Sequence, residues 1–205
     1  MEAKAEHAGQ DVTLAIIAGG GGHRLGGVAK GLLTLEGRPL IERILDLRPR
    51  FSEVLLVADN PGAYKAYGLR SVPDLVEGRG APGGVHAALG AARTPWLFAV
   101  GCDMPFVAWQ VVRMVLEARA PDVDLVCFEI DGRFEPLLAV YRSSLAQSWG
   151  ACLAKNPSFG GIFSGFRTRV LPKLRLQEVD PDLRSVVSIN GPDDLARWGV
   201  QLPAT

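Results

Sequence analysis

Residues 19–30 combine a run of glycines with two cationic side chains. Six of the nine residues from Gly19 to Gly27 are glycine, and the stretch contains Arg24 and closes on Lys30. Glycine loses more backbone freedom on folding than any other residue, so such a cluster weakens a fold unless the backbone must do something unusual there. Bare N–H groups can turn inward and cradle phosphate oxygens. Arg24 would add a planar guanidinium and Lys30 a point charge, so the stretch predicts a triphosphate site.

Two common phosphate-binding motifs do not fit the same residues. A dinucleotide fingerprint, G-x-G-x-x-G, would need its third glycine where Arg24 stands. A P-loop, G-x-x-x-x-G-K-[ST], fails because Lys30 follows Ala29 and precedes Gly31. The remaining alternative is a tight turn without function, which needs one or two glycines rather than six.

Two aspartates are candidate partners of a triphosphate. Asp103 comes just after the apolar run Trp96–Val100. Magnesium uses one or two protein carboxylates and keeps several waters, so Asp103 is the predicted Mg²⁺ ligand. The alternative for Asp103 is a cap or turn residue before Pro105. Asp74, which also follows a short β-rich run, is equally well explained as an N-cap or turn residue.

Short apolar runs alternate with helical patterns along the chain. This alternation predicts an α/β fold with a mainly parallel sheet, in which ligands bind at the carboxyl ends of the strands. The predicted strands are 12–18, 53–58, 69–72, 96–100, 125–130, 136–141 and 186–189. The predicted helices are 40–47, 63–67, 85–92, 109–119, 143–154 and 192–198, with loops at 76–84 and 156–165. Residues 1–10 are expected to form a flexible terminus and residues 11–201 a single domain.

Composition restricts the classes of function and partner. Among 205 residues the formal net charge is zero, so neither nucleic acid nor an acidic membrane is an expected partner. The three cysteines are far apart and odd in number, which indicates no disulfide framework or zinc knuckle and favours a reducing cytoplasm. No apolar run reaches membrane-spanning length, and residues 1–10 do not resemble a secretory signal.

The motifs taken together carry a family resemblance. Ile17 to Lys30 resembles the L-A-G-G-x-x-x-R-M-G-x-x-x-K signature of GT-A-like nucleotidyltransferases. The order and spacing of the later motifs resemble the molybdenum cofactor guanylyltransferase family over residues 12–199. Those motifs are Pro73-Asp74, Gly83-Gly84, Cys102-Asp103-Met-Pro, Glu135-Pro136 and Asn190-Gly-Pro-Asp-Asp-Leu.

The resemblance implies a fold, a reaction and a set of partners. The fold would be a single-domain, Rossmann-like, GT-A-like nucleotidyltransferase. The reaction would join GMP from GTP to molybdopterin carrying molybdenum, with Mg²⁺ and release of pyrophosphate. Transient contacts with other proteins of molybdenum cofactor biosynthesis and with acceptor molybdoenzymes are also implied.

The resemblance assigns roles to individual residues. Ile17, Ala18 and Gly19 would line the guanine and ribose end of GTP. Gly20, Arg24, Gly27 and Lys30 would hold the phosphates. Asp74 would contact the nucleotide, Asp103 would bind Mg²⁺, and Asn190 would lie near the pterin. Arg24, Lys30 and Asp103 would be the catalytic residues.

The chain departs from the family pattern at several positions. The family usually has a basic residue where Gly21 stands, Asp where Ala29 stands, and Asn where Val57 stands; Ser188 replaces a further typical Asn. These departures keep two alternatives open. One is a cytidylyltransferase or another sibling nucleotidyltransferase, and the other is a GTP-binding homologue with impaired catalysis.

Overall fold

The computed structural model describes residues 8–19, 27–73 and 78–203. Seven of its strands form one sheet in the order β5-β4-β1-β6-β8-β7-β9, and four of the six pairings in it are parallel. The strands of this sheet are β1 (Val12–Ile17), β4 (Glu53–Val57), β5 (Arg70–Val72), β6 (Trp96–Gly101), β7 (Leu125–Ile130), β8 (Arg133–Arg142) and β9 (Thr168–Pro172). A small sheet contains β2 (Thr34–Leu35), β3 (Arg38–Pro39) and β10 (Val200–Gln201). The predicted α/β class with a mainly parallel sheet is confirmed.

Strand β1 lies at the centre of the parallel half of the sheet. It pairs with β4 on one side and with β6 on the other. Alternate residues face opposite layers, as a strand buried on both faces requires: Leu14 and Ile16 belong to one core cluster, Ala15 and Ile17 to the other. The carboxyl ends of β1, β4 and β6 therefore meet at one edge of the sheet.

Helices cover both faces of the main sheet. Helices α1 and α3 pack on one face, and α2, α4 and α5 pack on the other. Their bounds are α1 (Leu40–Leu45), α2 (Gly80–Ala91), α3 (Trp109–Glu117), α4 (Ala146–Lys155), α5 (Phe159–Phe163), α6 (Lys173–Gln177) and α7 (Pro192–Trp198). The predicted helix at 63–67 is a 3₁₀ segment, Pro61–Tyr67. No helix in the described part of the chain is long and apolar enough to span a membrane.

The glycine-rich segment before residue 85 is largely helical, so the predicted loop 76–84 is wrong in its second half. Helix α2 begins at Gly80. Pro82 lies in its first turn, where a missing N–H costs no hydrogen bond. Gly84 faces β1 so closely that a Cβ there would lie 2.9 Å from Cγ2 of Ile17. These glycines therefore allow a helix to approach the sheet.

Two other local predictions are wrong because tertiary contacts decide the backbone. The predicted loop 156–165 contains α5, whose N-cap Ser158 accepts a hydrogen bond from the Gly161 N–H at 3.1 Å. The predicted strand 186–189 is absent from the described structure. A 3₁₀ turn occupies Arg184–Val186, and the N–H of Ile189 donates to the carbonyl of Asp103 at 2.9 Å.

Strand β9 was not predicted because its sequence, Thr-Arg-Val-Leu-Pro, lacks an apolar alternation. It pairs in parallel with β7 at the edge of the sheet. A basic cluster surrounds it, formed by Arg167, Arg169, Lys173 and Arg175. Three of its members have acidic partners: Arg167 pairs with Asp124 at 2.6 Å, Lys173 with Asp131 at 3.1 Å, and Arg175 with Glu178 at 2.8 Å. The cluster is therefore a solvated face rather than an open anion site.

Because α2 lies so close to β1, a methyl group added at Gly84 should destabilise the fold. We expect Gly84→Ala to lower the free energy of unfolding by about 1–3 kcal/mol, because the added Cβ overpacks against Ile17. Gly160→Ala is the matched control, since a Cβ on this helical glycine meets nothing within 4 Å and alanine is the better helix former. Urea unfolding of both variants checks this. Equal stability of the two variants would contradict the packing argument.

Candidate functional site

Three residues predicted from separate motifs, Lys30, Asp103 and Asn190, form one hydrogen-bonded cluster. The Nζ of Lys30 lies 2.9 Å from Oδ2 of Asp103 and donates a hydrogen bond to Oδ1 of Asn190 at 2.7 Å. The side chains of Lys30 and Asp103 are only 20% and 15% exposed. The contacts bridge 73 and 160 residues of sequence, so the fold builds this cluster.

Each member of the cluster is held by a different element. Lys30 begins a 3₁₀ turn, Lys30–Leu32, and Asp103 follows the carboxyl end of β6. Asn190 precedes α7, where Oδ2 of Asp194 accepts hydrogen bonds from the N–H groups of Asn190 (2.8 Å) and Gly191 (3.2 Å). Asp194 thereby caps the helix and fixes the loop that carries Asn190.

The backbone beside Asp103 leaves room for its carboxylate because residue 101 is glycine. A Cβ at Gly101 would lie 2.7 Å from Oδ1 of Asp103. The Ile189 N–H donates to the Asp103 carbonyl, which joins the segment before α7 to the same edge of the sheet. The carboxylate therefore has one defined location, close to the ammonium of Lys30.

The end of β1 lies between its two neighbouring strands. The Ala18 N–H donates to the Val57 carbonyl at 2.7 Å, and the Ile17 carbonyl accepts from the Cys102 N–H at 3.0 Å. The predicted nucleotide residues Ile17, Ala18 and Gly19 are thus next to the residue that precedes Asp103. Ile17 itself is almost fully buried, so a ligand would meet the backbone after it rather than its side chain.

A cavity of about 290 Å³ opens beside the end of β1. It brings together four of the predicted nucleotide residues, Ala18, Gly19, Gly27 and Lys30. The rest of the lining comes from the segments after β1 and β4: Val28, Ala29, Leu32, Asp59, Asn60, Ala63, Tyr64 and Cys102.

The lining of the cavity bears on Val57, which stands where the family usually has Asn. Val57 is completely buried in the core, so its side chain cannot reach a ligand. Asp59 and Asn60, a few residues farther along, line the cavity instead. The polar groups at the end of β4 are therefore present, displaced from the position of Val57.

Gly20, Arg24 and Asp74 lie outside the described residues, as does Gly21. Their roles in phosphate and nucleotide binding stay predictions. Gly27 has a positive φ of 81°, a conformation that glycine adopts without a steric penalty. Within the described part of the predicted phosphate loop, Gly27 therefore has a left-handed backbone, three residues before Lys30.

Two neighbouring protic groups are held in their neutral forms. Burial raises the pKa of the Cys102 thiol to about 12, which makes it a poor nucleophile at neutral pH. Burial also raises the pKa of Tyr64, whose hydroxyl accepts a hydrogen bond from the Gly31 N–H at 3.3 Å. Both side chains are buried, and Tyr64 anchors the turn that begins at Lys30.

The site has few carboxylates that could bind a metal ion. The described residues contain no group of three or more His, Cys, Asp or Glu side chains that could enclose a metal ion. The hard oxygen of Asp103 suits a cation that takes most of its remaining ligands from phosphates and water. Together with Lys30, the arrangement can bind a polyphosphate and neutralise charge on it.

Glu135 is a further carboxylate, part of the Glu135-Pro136 motif, for which the resemblance implies no role. It lies on β8, and burial raises its pKa from 4.5 to about 7. Strand β8 runs antiparallel to β6, with Leu138 opposite Val100. Before Leu138 the register of β8 against β7 shifts, and Glu135 lies opposite Phe128, about level with the carboxyl end of β6.

Comparison with known proteins decides the family. The model of the MobA-like NTP transferase domain matches residues 14–180. The chain belongs to this family. The chain is accordingly a nucleotidyltransferase, and the family resemblance inferred from the motifs is confirmed.

Individual members of the family match over nearly the whole chain. A molybdenum cofactor guanylyltransferase of Desulfosudis oleivorans is 31% identical over 91% of this chain and 93% of the relative. One from Vibrio campbellii is 30% identical over 90% and 93%. The crystal structure of molybdopterin-guanine dinucleotide biosynthesis protein A from Archaeoglobus fulgidus superposes with a TM-score of 0.77 at 29% identity, covering 90% and 95% of the two chains.

The raised pKa of Glu135 predicts a pH-dependent stability. The unfolded carboxyl ionises near pH 4.5 and the folded one near pH 7, so this group costs stability progressively as pH rises through that interval. We expect Glu135→Gln to be more stable than the parent chain at pH 8 by about 1 kcal/mol, allowing for solvent screening. The advantage should shrink toward pH 5. Urea unfolding at both pH values checks this, and an advantage independent of pH would contradict it.

Proposed function

We propose that this protein transfers GMP from GTP to the terminal phosphate of molybdenum-bearing molybdopterin, releasing pyrophosphate. The observation that carries the proposal is the cluster of Lys30, Asp103 and Asn190 at the carboxyl edge of the sheet. Three motifs of the family supply these residues. The relatives that cover almost the whole chain bear the name molybdenum cofactor guanylyltransferase.

In this proposal GTP occupies the β1 and β4 side of the edge. The guanine and ribose lie along Ile17, Ala18 and Gly19, beside the cavity that Asn60 also lines. The phosphates extend over Gly20, Arg24 and Gly27 to Lys30, and Asp74 contacts the nucleotide. A base placed beside Asn60 would have an amide available for hydrogen bonding in place of the asparagine missing at Val57.

Asp103 is the residue that would hold Mg²⁺. Its carboxylate supplies the hard oxygen that Mg²⁺ prefers, and the nucleotide phosphates would supply others. The ion would neutralise charge on the phosphates when bound. The nearby ammonium of Lys30 is within reach of the same phosphates, so the residue that now pairs with Asp103 can exchange one anionic partner for another.

The reaction needs no general base from the protein. The terminal phosphate of the acceptor is already an anion and can attack the α-phosphorus of GTP directly. The protein then contributes alignment of the two phosphates and neutralisation of the growing charge by Lys30 and Arg24. Asn190, which contacts Lys30, would lie near the pterin of the acceptor.

Two alternative functions share this site. A sibling enzyme would use another nucleotide, such as CTP, with the same acceptor. A GTP-binding homologue with impaired catalysis is favoured by Ala29, which lines the cavity where the family usually has Asp. The first alternative transfers a different nucleotide, and the second binds GTP without releasing pyrophosphate.

Lys30 is expected to act on phosphate and not on the base. We expect Lys30→Ala to weaken GTP binding at least tenfold while changing guanosine binding less than twofold, because guanosine carries no phosphate for the ammonium to neutralise. Calorimetric titration of both ligands checks this. Lys65→Ala, which removes an exposed lysine outside the cluster, is the control. Equal losses for GTP and guanosine would mean that Lys30 does not contact phosphate.

The function itself is tested by pyrophosphate release from GTP with molybdenum-loaded molybdopterin and Mg²⁺. We expect turnover by the parent chain and a loss of at least a hundredfold in Asp103→Ala, which lacks the proposed metal ligand. Turnover with CTP instead of GTP would favour the sibling enzyme. GTP binding without turnover would favour the impaired homologue, and normal activity of Asp103→Ala would refute the role of Asp103.

A further inference from the structure

Glu135 lies near the carboxyl edge of the sheet, on the side away from the proposed GTP cavity. It pairs with Phe128, which is only two residues of β7, about 7 Å, beyond the level of Val140. Since Val140 lies opposite Phe98, Glu135 is about level with the last two residues of β6. Strand β8 is the next strand after β6, about 5 Å away. Glu135 is thus one strand removed from the element that carries Asp103, and two strands removed from β1.

The pairing of β7 and β8 is irregular where Glu135 lies. Glu135 pairs with Phe128, and the register shifts between Val126 and Phe128. Such bulges re-aim side chains and are frequent beside active sites. The 3₁₀ turn Arg184–Val186, which leads into the segment carrying Asn190, also contacts β8. The chain therefore passes against β8 shortly before it reaches Asn190.

The carboxyl of Glu135 has apolar surroundings. It is half-buried, and it makes no ion pair or hydrogen bond with any residue in the ranges that the structure describes. Its strand partner Phe128 is fully buried, as is Cys127, whose pKa the charge of Glu135 helps to raise. Keeping a carboxyl in such a place costs free energy unless a partner satisfies it, and its partial exposure leaves it open to a ligand.

A pterin ring offers the complementary groups. Its 2-amino-4-oxo pyrimidine ring presents an N–H beside an exocyclic amino group, and a carboxylate can accept hydrogen bonds from both. An acceptor whose phosphate lies near Lys30 and Asp103 would extend its ring toward β8, the strand next to β6.

We propose that Glu135 binds the pterin ring of the acceptor by accepting hydrogen bonds from its 2-amino group and the adjacent ring N–H. This inference rests on the proposed function for the identity of the acceptor. Glu135 would then be a specificity residue, distinct from the phosphate-binding cluster of Lys30, Asp103 and Asn190. The guanine of GTP carries the same pair of donors, but its proposed site lies across β6, beside Gly19 and Asn60.

The test uses two fluorescent probes that differ at one group. The pterin probe is 6-hydroxymethylpterin, and the comparison probe is its 2-oxo analogue, 6-hydroxymethyllumazine, which lacks the amino donor. Fluorescence titrations are made with the full chain in the presence of GTP and Mg²⁺. The parent chain should bind the pterin at least tenfold more tightly than the lumazine, because a site built for an N–H donor rejects an analogue that lacks it.

Glu135→Gln should abolish that preference while leaving the affinity for GTP within twofold. Glu129→Gln is the matched control, since Glu129 is a half-buried glutamate on the neighbouring strand and pairs with Phe134; it should keep the preference. In the turnover assay, Glu135→Gln should raise the KM for the acceptor more than it lowers kcat.

Each contrary outcome is informative. Equal binding of the two probes by the parent chain, or an unchanged preference in Glu135→Gln, overturns the assignment of Glu135. Weaker GTP binding in Glu135→Gln would place its carboxyl at the guanine and overturn it as well. Failure of the proposed function would show separately, as an absence of pyrophosphate release by the parent chain with molybdopterin.

Discussion

The ion pair between Lys30 and Asp103 is the constraint on which the rest of the site depends. Both side chains are mostly withdrawn from water, so each charge has lost hydration that its partner must replace. Such pairs are weak evidence for stability, because desolvation offsets much of the attraction. Their value here is positional: an ammonium and a carboxylate are held at the edge of the sheet. In the proposed function a polyphosphate would pair with the ammonium and a cation with the carboxylate.

The surrounding fold serves to keep that pair in place. Strand β6 is buried between β1 and β8 and delivers Asp103 beyond its end, and Gly101 leaves space for the carboxylate. From the other end of the chain, Asp194 secures the loop that brings Asn190 to Lys30. A parallel sheet supplies the rigid edge, and loops from distant parts of the sequence complete it. This division is typical of open α/β sheets.

The residues that form the cluster could be predicted from sequence, but their mutual contacts could not. Glycine enrichment and aspartate after an apolar strand are local signals, so Lys30 and Asp103 were found as separate candidates. Glu135 carried no such signal, because its burial depends on the pairing of β8 with β7. The helical start at Gly80 was missed for a related reason: glycines that look like a loop are required by the contact with Ile17.

The central claim is that this edge is a GTP site, and calorimetric titration with GTP, CTP and ATP in the presence of Mg²⁺ tests it most directly. We predict that GTP binds at least tenfold more tightly than the other two nucleotides. We further expect GTP binding to weaken at least tenfold in Lys30→Ala. Preference for CTP would keep the fold and the cluster but contradict the guanylyl assignment, and binding of none of the three would contradict the nucleotide site itself.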